Sequence, residues 1–230
     1  LADASMMEGC LLGCGPNVGL LSSPQSPNPM KQAHLHHILL DASGSMQNCH
    51  QLTVSTLNEQ VASLREVQKQ HPDQDVKFSI SDFSDDYRMW FGPKPIAEIR
   101  EITEENYQLR GTTALYDGLG TLIARTIDHV GEDAPSKGTS ITIMVLTDGY
   151  ENASRFYSAG ALKMLMDKLT EKGWNFRFIG ADIDPLEVGR KLGVDASRSR
   201  RFSKDRLGDS VAYMSQEVSF AVAEKKRRFQ

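Results

Sequence analysis

The chain has 230 residues, 40% of them hydrophobic and 24% charged, a balance that fits a globular protein and excludes a coiled coil or a mainly disordered chain. Its 26 Lys and Arg against 30 Asp and Glu leave a formal net charge of −4, so no overall basic field exists to hold nucleic acid or an anionic membrane surface. Three cysteines with no regular framework point to a reducing compartment, and a cytoplasmic location is expected. Residues 1–30 mix Gly13, Gly15 and Gly19 with Pro16, Pro24, Pro27 and Pro29. Such a segment buries too little apolar surface to offset its ordering entropy, so a disordered leader is predicted over 1–30 and one folded domain over 31–228. Its apolar runs also fall far short of the ~18–20 residues that span a bilayer. Met30, just ahead of the first strong strand signal, is a candidate natural start.

From there strand and helix signals alternate. Ile38-Leu39-Leu40 is a short, wholly apolar run of the kind found in central strands covered on both faces. Leu52, Leu57, Val61 and Leu64 mark a helix from about 50 to His71, stopped by Pro72. Val76, Phe78 and Ile80 alternate with polar residues, and Asp85-Asp86 turns the chain into an antiparallel strand around Tyr87–Phe91. Leu115, Leu119, Leu122, Ile123 and Ile127 define a second long helix. The strongest core strand is Ile141–Leu146. A helix through Leu162, Leu165, Met166 and Leu169 follows and closes at Gly173. Phe176–Ile179 is a further strand, Pro185 opens a short helix to about Leu192, and a weak strand lies near Arg201-Phe202. Leu207, Val211, Met214, Val218 and Val222 predict a terminal amphipathic helix. The pattern is an α/β fold: a doubly wound, mainly parallel sheet with one antiparallel edge strand and helices on both faces.

Right-handed crossovers place the carboxyl ends of all parallel strands along one edge, where ligand sites of such sheets lie. The loop after the first strand reads Asp41-Ala-Ser43-Gly-Ser45. The loop after the strongest strand reads Thr147-Asp148-Gly149, and Gly111-Thr112-Thr113 opens the second long helix. Helix capping and turn formation explain some of these residues but not all of them. Together they bring two carboxylates and three hydroxyls to one place. Two like charges crowded at a sheet edge are costly unless a cation offsets them. All donors are hard oxygens, which selects Mg²⁺, Mn²⁺ or Ca²⁺. Neutral hydroxyls quench little of the ion's charge, so the site should attract a carboxylate from outside.

At these residues the chain resembles the von Willebrand factor type A domain, in a bacterial intracellular form, over about residues 33–223. The matching positions are Asp41, Ser43, Ser45, Thr113 and Asp148, with Thr147-Asp148-Gly149 and Gly111-Thr-Thr-Ala-Leu-Tyr-Asp117-Gly as further family-like phrases. The family often has Gly-Gly-Thr where this chain has Gly111-Thr112-Thr113, which leaves Thr112 beside Thr113 as the metal-site threonine. The resemblance implies a metal-ion-dependent adhesion site, with Mg²⁺ as the expected ion. It also implies a protein partner whose acidic residue completes the metal shell, and a role as an accessory or regulatory factor for a protein complex.

An enzyme is the alternative, a Mg²⁺-dependent phosphohydrolase or phosphotransferase. Haloacid-dehalogenase-like phosphotransferases also carry an Asp after the first strand, but here the acid/base position two residues on is Ser43. Neither a nucleophile elbow nor a Walker loop is present, and no catalytic activity is expected. His34, His36 and His37 form a cluster at the entrance of the first strand. Arg198, Arg200, Arg201, Lys204 and Arg206 make a basic patch expected to be a solvated loop. Asp182 and Asp184 would rim the metal edge, and Tyr150, Glu151 and Asn152 would shape the ligand surface.

Overall fold

The computed structural model describes residues 32–181 and 185–202. The chain divides between Met30 and Lys31, and every described residue belongs to the second unit, Lys31–Gln230. The expected leader, Lys204 and Arg206, Asp182 and Asp184, and the terminal helix through Leu207 and Val222 lie outside the described residues.

The strands are β1 (Gln32–Asp41), β2 (Gln74–Phe83), β3 (Tyr87–Pro95), β4 (Thr139–Thr147), β5 (Asn175–Ala181) and β6 (Ser199–Phe202). The helices are α1 (His50–Gln70), α2 (Leu115–Val130), α3 (Ala159–Glu171) and α4 (Pro185–Lys191). The strands form one six-stranded sheet in the order β3-β2-β1-β4-β5-β6. The pairs β1–β2, β1–β4, β4–β5 and β5–β6 are parallel, and only the edge strand β3 runs antiparallel, to β2.

Alternation along the strands divides the core into two layers. Ile38 and Leu40 of β1 and Val76, Phe78 and Ile80 of β2 pack under Leu57, Val61, Leu64 and Val67 of α1. Leu35 and Leu39 of β1 and Ile141, Ile143 and Val145 of β4 face α2, α3 and α4 through Leu119, Ile123, Leu162, Met166 and Val188. Both faces of the central strands are thus covered, which is why they read as unbroken apolar runs. Leu64 and Leu119 are fully buried, and truncating either to Ala would cost ~2–5 kcal/mol.

β1 is longer than its apolar run suggests, because two of its buried histidines find partners on β2. His34 Nε2 meets Gln74 Oε1 at the start of β2, and His37 Nδ1 meets Ser79 Oγ. These histidines precede the apolar run of the strand, four residues or more from Asp41.

The order of strands reverses between β1 and β4. Their carboxyl ends, Asp41 and Thr147, therefore open side by side at the point where the two halves of the sheet diverge.

A candidate metal-binding cluster at the carboxyl edge

Asp41 ends β1 with its side chain fully buried, 0% exposed. Its Oδ1 accepts the Ser43 N–H at 2.8 Å, and its Oδ2 accepts the Thr147 hydroxyl, from the end of β4, at 2.6 Å. Ser43 sits at the N-cap of a 3₁₀ turn, Gly44–Cys49, but its side chain makes no capping bond. Its Oγ instead lies 3.0 Å from Ser45 Oγ, and Ser45 Oγ donates to Asp148 Oδ1 at 2.6 Å. A continuous line of oxygens therefore joins the two acidic loops. Asp148 is only 8% exposed. Burial pushes the Asp41 carboxyl above its ordinary range. Hydrogen bonds from Ser43 and Thr147 oppose that rise, and the nearby Asp148 charge adds to it.

Gly149 brings the third loop into contact. A Cβ built there would lie 3.1 Å from Thr113 Oγ1 and 3.5 Å from Asp41 Oδ2, so the Thr113 hydroxyl and the Asp41 carboxylate flank the same small space. Thr113 is held by both backbone groups: its N–H donates to Asn152 Oδ1, and its carbonyl accepts from Asn152 N–H, each at 3.0 Å. Thr112 is engaged elsewhere, with its N–H and its hydroxyl both donating to Asp85 Oδ1. Gly111, at φ +54°, turns the chain into this arrangement, and a Cβ there would fall 1.9 Å from Asp85 Oδ2.

The loops around the cluster are braced by tertiary rather than local contacts. Ala114, the N-cap of α2, has no side-chain cap. The free N–H groups of that helix end are satisfied from the β4–α3 loop instead: Glu151 Oε2 accepts from Tyr116 N–H at 3.0 Å and Ser154 Oγ from Asp117 N–H at 3.1 Å. Asp117 reciprocates, its carboxylate accepting the N–H groups of Arg155, Phe156 and Tyr157 at 2.7–2.9 Å. Under β1, the Tyr107 hydroxyl donates to the Asp41 carbonyl, and the Tyr107 ring stacks on His50 at 5.0 Å. Arg110 N–H donates to the Ala42 carbonyl at 2.7 Å. The same residue's guanidinium pairs with the fully buried Asp82 at 2.6 Å, and Arg88 adds a second contact to Asp82 at 2.9 Å.

Of the residues singled out in the sequence, Asp41, Ser43, Ser45 and Asp148 are linked by hydrogen bonds, and Thr113 stands beside Asp41 across Gly149. Asn152 clasps Thr113, Glu151 caps α2, and Tyr150 faces outward, 46% exposed. Thr147, Tyr107, Asp82 and Arg110 were not read as site residues. Thr147 lay inside the Thr-Asp-Gly phrase, but the other three have no local pattern that marks them.

The donor set fits a hard divalent ion. Among the described residues no three His, Cys, Asp or Glu side chains gather into a metal-binding group, so a cation beside Asp41 and Asp148 must draw on hydroxyl oxygen as well. Ser43, Ser45 and Thr113 would supply it.

A mainly parallel sheet with acidic and hydroxyl loops at its switch point sets the class of fold to which the chain belongs. A sequence model described as the von Willebrand factor type A domain matches residues 37–151, half of the chain and all five candidate donors, and the chain belongs to that family. Solved structures agree at the level of fold. Proximal thread matrix protein 1 from the mussel byssus is 18% identical with a TM-score of 0.58, over 82% of this chain and 47% of its own. Another structure of that protein has a zinc-occupied MIDAS motif. BatB from Bacteroides thetaiotaomicron is 17% identical with a TM-score of 0.54, over 83% of this chain and 98% of its own. The pilus adhesin SpaC from Lactobacillus rhamnosus GG is 12% identical with a TM-score of 0.63, over 85% and 31%. The chain thus spans under half the length of the mussel protein and about a third of the adhesin. No curated protein matches the sequence. Among the described residues no helix is long and apolar enough to cross a membrane.

Proposed function

We propose that this chain is a divalent-cation-dependent protein-binding module. Asp41, Ser43, Ser45, Thr113 and Asp148 would hold the ion, and a protein partner would present an acidic residue to it. The observation that carries this reading is the hydrogen-bonded cluster of Asp41, Ser43, Ser45 and Asp148 at the switch point, with Thr113 of a third loop standing beside the buried Asp41 carboxylate across Gly149. Asp41 and Asp148 supply negative charge, Ser43, Ser45 and Thr113 supply neutral oxygen, and Thr147 and Tyr107 hold Asp41 in place. When bound, the ion would offset the two carboxylates and offer an electrophilic position to an incoming carboxylate. Mg²⁺ is the proposed ion, with Mn²⁺ and Ca²⁺ as the alternatives that the same hard-oxygen donors accept. No group of suitable pKa stands two residues after Asp41 to move a proton, so binding without turnover is the reading. A cytoplasmic location and a role as accessory factor for a protein complex belong to the same proposal.

The test is calorimetric titration of the full chain with Mg²⁺, Mn²⁺, Ca²⁺ and Zn²⁺, followed by capture from native lysate in Mg²⁺ or EDTA. Saturable Mg²⁺ binding and Mg²⁺-dependent capture, both lost in Asp41→Ala, are expected. Absence of metal binding, or release of phosphate from p-nitrophenyl phosphate that Asp41→Ala abolishes, would overturn the reading.

A further inference from the structure

Four large hydrophobic side chains stand exposed among the described residues: Tyr150, Phe156, Met164 and Leu186. All four lie on the β4–α3 loop, α3 and the first turn of α4, the segments that leave the carboxyl ends of β4 and β5. On the β2 side of the acidic cluster the exposed positions are polar: Gln47, Asn48, Asp85, Asp86 and Thr112. Among the described residues around the cluster, the large exposed apolar side chains are Tyr150 and Phe156 of the β4–α3 loop, which stand among the exposed polar Asn152, Arg155 and Ser158.

Phe156 is the extreme case at 87% exposure, and it is not exposed because its loop is slack. Its own N–H and those of its two neighbours are held by the Asp117 carboxylate. The next residue, Tyr157, lays its ring against Gly120 of α2, where a Cβ would come within 2.6 Å of that ring. Two residues before Phe156, Ser154 receives three of its contacts from Glu151 and Asp117. The backbone on both sides is fixed, and the phenyl ring points into solvent from a preorganised support. An aromatic side chain held this way loses little entropy when a partner covers it, which is the property of interface anchors.

We propose that Phe156, together with Tyr150, is the apolar anchor of the partner site. The partner would be a protein segment carrying an acidic residue for the cation and, close to it in sequence, a large apolar side chain that packs on Phe156. The inference rests on the cation-dependent reading above and adds what that reading lacks, the chemistry beside the acidic residue. The polar β2 flank sets the direction, since an apolar residue on the other side of the acid would meet Asp85 and Asp86.

The probe is a library of random dodecapeptides displayed on phage, selected on the immobilised full chain in Mg²⁺ and eluted with EDTA. Recovered peptides should share an Asp or Glu with Leu, Ile, Phe or Trp at a fixed short spacing on one side. Selection on Phe156→Ser should keep the acidic position and lose the apolar preference. The best wild-type peptide should bind that variant about tenfold or more weakly, and Phe156→Leu should recover much of the difference. An unchanged melting temperature of Phe156→Ser verifies that the fold is intact. Acidic peptides without an apolar preference, or equal affinity for the variant, would overturn the anchor and leave the cation-dependent reading standing. If no EDTA-eluted acidic peptide is recovered, both fall.

Discussion

Gly149 shows how little room the acidic cluster leaves. The first atom of any side chain there would press on the Thr113 hydroxyl from 3.1 Å. Gly149→Ala is expected to weaken Mg²⁺ binding roughly tenfold or more, the usual effect of disturbing groups that hold metal ligands in place. Calorimetry on the two proteins in parallel checks this, with the metal-free melting temperature nearly unchanged. Thr147 acts on the same carboxylate without standing in the donor set. Its hydroxyl donates to Asp41 Oδ2 at 2.6 Å, and Thr147→Val would leave a fully buried carboxylate short of one partner. That costs ~1–3 kcal/mol, measurable by urea unfolding in EDTA, and a variant as stable as the parent would contradict the role assigned to Thr147.

At the scale of elements, the β4–α3 loop and the start of α2 form one unit. A stretch with neither helix nor strand would ordinarily be mobile, but here two carboxylates bind its amides: Glu151 takes Ala153 and Ser154, and Asp117 takes Arg155, Phe156 and Tyr157. Charge-assisted bonds of this kind are about twice as strong as neutral ones. Asp117→Ala should cost ~2–4 kcal/mol. It should also release the amides of residues 155–157 to rapid hydrogen exchange, while the amides of β1 and β4 keep their protection. Equal exchange at 155–157 in the two proteins would show that the loop is ordered by something else. Because the same loop carries Asn152, which clasps Thr113, loosening it should also weaken Mg²⁺ binding.

At the scale of the molecule, the buried histidines of β1 set the response to acid. Burial, reinforced by neighbouring histidines, lowers His36 to about 3 and His37 to about 4 from an ordinary 6.5. Between those values the unfolded chain binds protons that the folded chain refuses. The stability tied to these residues is therefore complete above pH 6.5 and is lost as pH falls toward 4 and below. At ~1.4 kcal/mol per pH unit per group, the loss is on the order of 6 kcal/mol by pH 4, a large part of the ~5–15 kcal/mol that holds an ordinary domain together. Urea unfolding at pH 7, 6, 5 and 4 should show this slope, and His36→Leu should flatten it. A parent protein with constant stability from pH 7 to 5 would refute the assignment.

The alternating pattern of strands and helices, the antiparallel hairpin at Asp85-Asp86 and the acidic and hydroxyl motifs were all legible in the sequence, because each depends on residues close together along the chain. Periodicity reports which side of a strand or helix is buried, and a motif at the end of a strand reports which edge it occupies. That the loops carrying Asp41 and Asp148 meet was expected from the motifs, but the pairing of β1 with β4 and the individual hydrogen bonds were not legible, since they are set by packing between segments more than a hundred residues apart. The choice between Thr112 and Thr113 for the place beside Asp41 likewise waited on Asp85 and Asn152, which take hold of one threonine each. The polar start of β1 reads poorly as a strand until Gln74 and Ser79 arrive from β2 to pair with His34 and His37. The sequence by itself determined that the acidic and hydroxyl motifs lie at the carboxyl edge of the sheet. Only the tertiary structure decided their pairing and the rigid, outward setting of Phe156, because both depend on hydrogen bonds that form after the helices have packed on the sheet.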